Sequence, residues 1–171
     1  MASDSVMNMP EIERLFDAAP FIRDIGMSLV AIAPGRCETR LVLSERHLQQ
    51  DGVVHAGVLA TMADHTSGTA GASIIRADAY VLTAEFKINL LRAARGERLH
   101  CVGTVLKPGR RLIVAESEVF DGDPASGKLV AKATVTLAVM TKPSSWREKQ
   151  ARLKEKKRNQ RGIVTTCWTS Y

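Results

Sequence analysis

The chain has 171 residues, a length that suits one domain of ordinary size. Its residues are 45% hydrophobic and 5% aromatic, which predicts a packed core built mainly from aliphatic side chains. The three cysteines show no C-x-x-C spacing, so neither a disulfide framework nor a zinc site is indicated, and a reducing cytoplasm is the expected location. No secretory pattern and no run of about 18 apolar residues is present, so we expect no membrane partner.

The net charge of +6 is concentrated near the C-terminus. Residues 142–161 contain nine Lys or Arg and two Glu, which gives +7, whereas residues 1–141 carry −1. A block of like charge with few apolar residues is typical of a solvated helix or a disordered tail. We therefore expect a folded domain over residues 1–141 and a basic tail over residues 142–171. The nearly neutral domain has no recognisable nucleic-acid-binding motif, so a nucleic-acid partner is not expected.

The first third of the chain predicts a short helix followed by a hairpin. Residues 10–19 favour a helix, because Pro10 suits a first helical turn and one side of the segment is apolar. The chain from Phe21 to Ala33 is predicted to begin the sheet. Pro34-Gly35 is typical of a turn, and Cys37 to Leu43 alternates polar and apolar residues as a half-buried antiparallel strand does.

A polar loop, residues 45–52, leads into the most unusual stretch of the chain, VVHAGVLATMADHTSG at residues 53–68. His55-Ala56-Gly57 is predicted to end the loop and open a helix. The first N–H groups of a helix lack partners inside it and lie at its positive end, so they can polarise a carbonyl oxygen. Asp64 follows in an apolar run of small residues, where an acid is costly unless it is paired or used.

His55 and Asp64 are too far apart in one helix to act together. Their separation of nine residues corresponds to roughly 13 Å along the helix axis. If the two residues cooperate, one of them comes from a second copy of the chain related by a two-fold axis. A functional motif therefore predicts a homodimer with two shared sites. The alternative is a solvated acid and a hydrogen-bonded structural histidine.

The rest of the chain predicts one long helix and four strands. The helix is expected over residues 57–75, where many Gly and Ala residues suggest close approach by a sheet. The short connections between the strands predict that strands adjacent in sequence pair antiparallel. One helix against one antiparallel sheet is an α+β fold. The four strands are predicted at Tyr80–Leu91, Arg98–Lys107, Arg111–Phe120 and Lys128–Met140.

The His-Ala-Gly motif, followed in the same helix by Ala-Asp and many Ala, Gly and Ser residues, resembles the signature of hotdog-fold acyl-CoA thioesterases of the phenylacetate-pathway (PaaI-like) type. The segment from Leu82 to Asp121 and the closing GKLVAKATVTLAVM are similar as well, so the resemblance covers roughly Ile22 to Met140. It implies a curved antiparallel sheet wrapped around a central helix. It also implies hydrolysis of an acyl-CoA to a free acid and CoA by a homodimer or a dimer of dimers (a homotetramer). The CoA thioester is then the substrate, with no cofactor and no metal.

The resemblance also implies roles for the motif. The backbone N–H of Ala56, with Gly57 next in line, would polarise the thioester carbonyl. The family usually has Gly at the position of Ala56, but the donor is the backbone. His55 would orient the loop or contact the thioester. Asp64 of the opposite subunit would be the general base or the nucleophile.

Two further polar residues match positions that the family uses. Gln49 would help to hold the acyl carbonyl or the attacking water, and Thr83 would help to hold the water. A solvated loop amide and an ordinary strand threonine are the alternatives. His65 points about 100° away from Asp64 around the helix, so a zinc site is not expected there.

The turn Lys107-Pro108-Gly109-Arg110-Arg111 offers three cations beside a glycine. In the family the matching turn contacts the nucleotide end of CoA, and a solvated basic turn is the alternative. A hotdog enoyl-CoA hydratase or dehydratase and a non-catalytic acyl-CoA-binding module are the competing functions. The motif context favours the thioesterase over the hydratase, and the presence of Asp64 disfavours the binding module.

Overall fold

The computed structural model describes residues 6–143 and residue 145. Most of the predicted basic tail, residues 142–171, lies outside the described residues. A short 3-10 turn, Glu45–His47, lies in the loop predicted at residues 45–52. The main elements among the described residues are α1 (Met9–Ala18), α2 (Pro20–Ile25), β1 (Met27–Ala33), β2 (Arg36–Val42), α3 (Ala56–Ala72), β3 (Ala79–Leu90), β4 (Arg98–Lys107), β5 (Leu112–Asp121) and β6 (Lys128–Thr141).

The six strands form one sheet in the order β1-β2-β4-β5-β6-β3. The pairs β1–β2, β2–β4, β4–β5 and β5–β6 are antiparallel. The long helix α3 packs on one face of this sheet, in contact with strands from β1 to β5. The predicted α+β hotdog fold, a curved antiparallel sheet around a central helix, is confirmed.

The position of β3 differs from the prediction. The short connections predicted that β3 and β4 pair, but β3 lies at the edge of the sheet beside β6. Three strand spacings separate β3 from β4, or about 14 Å, and the connection over residues 91–97 is long enough to span them. The prediction was wrong because a connection limits how far apart two strands can lie without requiring them to pair.

The segment predicted to begin the sheet starts as a helix instead. α2 occupies Pro20–Ile25, and β1 begins at Met27. Pro20 stands in the first turn of α2, where its missing N–H removes no helical hydrogen bond. Gly26 ends the helix with φ of 82°, a left-handed conformation that favours glycine. The apolar character of residues 21–33 concealed these two helix signals.

The helix α3 lies very close to the sheet because glycines stand at the contact points. A Cβ at Gly103 of β4 would lie 2.9 Å from the carbonyl oxygen of Thr66 and 3.1 Å from the backbone nitrogen of Ser67. A Cβ at Gly71 of α3 would overlap the side chain of Leu137 in β6. The small residues of the helix therefore allow its backbone to approach the strands, as the sequence predicts.

Two free cysteines are buried in this core. Burial raises the pKa of both Cys37 and Cys101 to about 12. The Sγ of Cys101 donates a hydrogen bond to the carbonyl oxygen of Met62 in α3 at 3.6 Å. Both side chains therefore remain protonated thiols at neutral pH and pack as small apolar groups.

The helix α3 begins at Ala56, one residue before the predicted start, and ends at Ala72 rather than at residue 75. His55 is its N-cap, because the imidazole Nδ1 accepts a hydrogen bond from the N–H of Gly57 at 2.9 Å. A Cβ on Gly57 would lie 2.9 Å from that nitrogen, so this cap requires glycine. Since Nδ1 accepts, the neutral ring carries its proton on Nε2.

We expect Gly103→Ala to lower the free energy of unfolding by about 1 to 3 kcal/mol, the usual cost of inserting a methyl group into a packed core. The added Cβ meets the backbone of Thr66 and Ser67, which cannot rotate away as a side chain can. Urea unfolding followed by circular dichroism measures the change. Thr104→Ala, in the same strand but half-buried, is the control and should change stability by less than about 1 kcal/mol. Equal effects of the two substitutions would contradict this account of the contact.

The cap of α3 predicts coupling between His55 and Gly57. Gly57→Ala should cost about 1 kcal/mol of stability because its methyl group displaces the imidazole. His55→Ala should cost a similar amount because it removes the capping nitrogen. In the double variant the added methyl group meets no imidazole, so the two costs should not add. A double-mutant cycle in urea measures the coupling, and strictly additive costs would show that the two residues act independently.

Candidate active site

The N-terminal end of α3 opens onto a cleft of about 370 Å³. Gln49, Ala56 and Arg92 contribute to its walls, and its other lining residues are Val, Leu or Ala. Within residues 6–143 the N–H of Ala56 donates to no acceptor, whereas the N–H of Gly57 donates to His55. The structure therefore brings two of the predicted site residues, Gln49 and Ala56, to one cleft.

His47 holds the loop that leads into α3. Its buried imidazole accepts a hydrogen bond from the N–H of Ser44 through Nδ1 at 2.9 Å. Its Nε2 lies 2.8 Å from the carbonyl oxygen of Ile25, to which the neutral ring donates. The carbonyl of His47 accepts from the N–H of His55 at 2.9 Å. Sequence reasoning missed His47, although a serine three residues before it, which closes a capping box, is a signal that could have found it.

Asp64 and Thr83 form a second group, between α3 and the edge strand β3. The hydroxyl of Thr83 donates a hydrogen bond to Oδ1 of Asp64 at 2.6 Å. Asp64 is half-buried and Thr83 is exposed. In the described part of the chain, Oδ2 of Asp64 has no hydrogen-bond partner. One carboxylate oxygen is thus held by the strand, and the other has no partner among these residues.

The two groups lie apart within one chain. Asp64 follows Ala56 by eight residues in α3, which is roughly 12 Å along the helix axis. His55 is bonded to Gly57, and the amide of Gln49 donates to Asp51 at 3.4 Å, so neither is bonded to Asp64. A single protomer therefore presents the free backbone donor and the carboxylate as two separate groups.

His65 packs away from Asp64, against α1. Its ring lies 4.9 Å from the ring of Phe16, centroid to centroid, at a tilt of 56°. Its Nε2 is buried without a hydrogen-bond partner in the described residues. Burial lowers the pKa of His65, and the nearby charge of Asp64 only partly opposes this effect. The ring is therefore neutral at neutral pH.

The turn predicted to bind the nucleotide, residues 107–111, connects β4 to β5, and all of its residues are exposed. None of its three cations, Lys107, Arg110 and Arg111, is paired with a carboxylate among the residues described. It lies at the end of the sheet near the C-terminus of α3. There the N–H of Val105 donates to the carbonyl of Gly35 at 2.8 Å, and Gly35 donates to the hydroxyl of Ser73 at 2.7 Å.

Two features are absent from residues 6–143. No three His, Cys, Asp or Glu side chains of this range lie close enough to hold a metal ion. In the same range no helix is long and apolar enough to cross a membrane.

Known proteins resemble this chain in sequence and fold. The family model of the thioesterase superfamily matches residues 51–128. A thioesterase family protein from Silicibacter pomeroyi has 33% sequence identity and a TM-score of 0.73, over 76% of this chain and 96% of that one. Human acyl-coenzyme A thioesterase 13 is 28% identical over 73% of this chain and 89% of its own length.

A third relative, 1,4-dihydroxy-2-naphthoyl-CoA hydrolase of Listeria monocytogenes, is 25% identical over 69% of this chain and 94% of its own length. The residues matched by the family model include the helix α3, the strands β3, β4 and β5, and all of the cleft lining except Gln49. The protein from Silicibacter pomeroyi is more than 30% identical to this chain and is covered almost completely. The resemblance drawn from the motif is therefore confirmed at the level of the family. The chain belongs to the thioesterase superfamily of hotdog-fold enzymes and is a thioester hydrolase.

Proposed function

We propose that the protein hydrolyses acyl-CoA thioesters at two sites of a homodimer, each built from the Ala56 end of one α3 and Asp64 of the other. The proposal rests on one observation, the distance within one chain between two polar groups that have no hydrogen-bond partner in the described residues. The Ala56 N–H and Oδ2 of Asp64 have no partner in the described residues, yet they are too far apart in one chain to act on one carbonyl. Two relatives are named for the hydrolysis of CoA thioesters, which supports the same substrate class.

The open face of α3 supports a dimer through this helix. Gly57, Thr61, Asp64 and Gly68 share one face, because they are spaced by three or four residues. A Cβ at Gly68 would meet no atom within 4 Å, so the protomer leaves space there. Small residues allow a second helix to come close. An antiparallel pair about a two-fold axis then places Ala56 of one chain beside Asp64 of its partner.

The edge strand β3 supports the same arrangement. Its hydrogen-bonded neighbour in the described residues is β6, on one side only. Leu82 and Phe86 on this strand are 53% and 39% exposed. A long open edge with apolar side chains favours pairing with another strand, and a second β3 is the matching partner under two-fold symmetry. The homotetramer remains a prediction.

The chemistry needs an activated water and a stabilised oxyanion. As a general base, Asp64 takes a proton from water while the hydroxyl oxygen bonds to the thioester carbon. The carbonyl oxygen gains negative charge beside the Ala56 N–H, which donates to it at the positive end of α3. The carbon–sulfur bond then breaks, the CoA thiolate leaves and is protonated, and the acid is released. As a nucleophile, Asp64 would form an anhydride that water hydrolyses.

Thr83 and Gln49 fit supporting roles in this scheme. The hydroxyl of Thr83 holds Oδ1 of Asp64, so Oδ2 faces the water. Gln49 lines the cleft with Ala56 and can donate to the carbonyl or to the water. His55 holds the start of α3 through its cap and thereby fixes the direction of the Ala56 N–H.

The exposed turn at residues 107–111 suits the phosphates of CoA. It lies near the C-terminus of α3, so within one chain almost the whole helix separates it from Ala56. In an antiparallel dimer the turn of the subunit that supplies Asp64 is the nearer one. The acyl carbonyl would then lie at Ala56 while the nucleotide reaches the cations of the partner.

Asp64→Asn should lower kcat by about 10² to 10⁴, the usual effect of losing a general base, and by more if Asp64 is the nucleophile. The measurement is release of free thiol from an acyl-CoA, with circular dichroism and light scattering to show that fold and oligomer persist. Glu13→Gln, which neutralises an exposed carboxylate on α1, is the matched control and should keep full activity. Turnover near that of the wild type in Asp64→Asn would refute the role.

The shared site can be tested with the same assay by mixing two inactive chains. Asp64→Ala removes the carboxylate, and Ala56→Pro removes the backbone donor. A mixed dimer has one site in which both halves are intact, so co-expression should restore part of the activity. Failure to complement, in mixed dimers isolated with two different tags, would show that each site lies within one chain.

Replacing Lys107, Arg110 and Arg111 together by Gln should raise KM for an acyl-CoA much more than it lowers kcat. That pattern marks the loss of binding energy common to the ground state and the transition state. The same acyl group on pantetheine, which lacks the nucleotide phosphates, should be hydrolysed equally well by variant and wild type. An equal loss with both substrates would assign the turn a different role.

A further inference from the structure

The cleft beside Ala56 contains one charged side chain, Arg92. Two hydrogen bonds fix its position. The backbone N–H donates to the carbonyl of Val130 at 3.2 Å, and Nη1 of the guanidinium donates to the carbonyl of Leu129 at 2.8 Å. Neither bond neutralises the charge, and no carboxylate of the described residues pairs with Arg92. The side chain is exposed, so a ligand can reach it.

The surroundings of Arg92 favour an anionic group. The described residues that line the cleft include neither Asp nor Glu, and apart from Arg92 and Gln49 they are apolar. The start of α3 adds the positive end of a helix dipole at Ala56. A guanidinium has five N–H donors, of which the bond to Leu129 uses one, so a pair remains for a carboxylate.

The orientation of the bound substrate determines which part of it contacts Arg92. This step rests on the proposed function. With the carbonyl at Ala56, the attacking water at the partner's Asp64 and the nucleotide on the partner's turn, CoA extends away from the cleft. The acyl group is then the part of the substrate that enters the cleft. Its carbonyl lies at Ala56, and its far end lies among the residues that line the cleft.

We propose that Arg92 is a specificity-determining residue that selects acyl groups whose far end carries a carboxylate. The apolar walls contact the middle of such a group, and the guanidinium binds its anionic end. A carboxylate and an arginine form two parallel hydrogen bonds, a geometry that a neutral acyl end cannot reproduce.

The test compares two substrates that differ only in that carboxylate, adipyl-CoA and hexanoyl-CoA, with 4-carboxybenzoyl-CoA and benzoyl-CoA as an aromatic pair. The quantity measured is the ratio of kcat/KM within each pair, for wild type, Arg92→Gln and Arg92→Lys. This ratio does not depend on the fraction of folded enzyme, so a loss of stability caused by breaking the bond to Leu129 does not change it. Arg95→Gln, which removes the same charge from the same connection but outside the cleft lining, is the matched control.

We expect Arg92→Gln to lower the carboxylate preference in at least one pair by about ten- to hundredfold, as loss of a hydrogen bond to a charged group does. Arg92→Lys should retain part of the preference, and Arg95→Gln all of it. An unchanged ratio in both pairs would overturn the proposal, even if kcat/KM falls equally for both members, since Arg92 would then bind CoA or only support the fold. Hydrolysis of at least one of the four substrates by the wild type tests the proposed function separately.

Discussion

At Gly103 the backbone of α3 approaches the sheet more closely than any larger residue would allow. With no side chain at that position, the carbonyl of Thr66 comes within contact distance of strand β4. The helix therefore sits deep in the curved sheet, and its inner face is buried by strands of the same chain. The opposite face of the helix carries the residues at its start as well as Asp64 and Gly68. The depth at which α3 lies in the sheet thus determines which of its residues are buried in the core and which remain accessible to a ligand.

The same helix also explains why the site residues fall into two groups. A helix is rigid and rises by a fixed amount per residue, so the distance between Ala56 and Asp64 cannot be adjusted by small movements. Each group is fixed locally instead. His47 and His55 hold the start of the helix, and Thr83 holds the carboxylate from the neighbouring strand. In the dimer proposed above, a second chain brings two such groups together into one site, and two-fold symmetry then provides two sites.

Sequence patterns predicted the parts of this structure that depend on local chemistry. The polar–apolar alternation predicted the strand β2, and Gly35 predicted the turn before it. The small residues of α3 predicted a helix that lies close to the sheet. The pairing of β3 with β6 could not be predicted in this way, because it depends on how the sheet curves around the helix. The candidate motif was visible, because His55 and Asp64 are chemically distinctive. Arg92 was not, because nothing in the connecting loop distinguishes it until the fold brings it to the cleft.

The buried thiols have a practical consequence for work on this enzyme. Thiolates, not thiols, react with disulfide reagents. Cys37 and Cys101 are shielded by the sheet and by α3, and burial raises the pKa of each to about 12. A chromogenic disulfide that reports the CoA released on turnover should therefore draw little background signal from these two positions. The close packing of α3 on the sheet therefore also keeps these two thiols unreactive toward the reagents that are used to follow turnover.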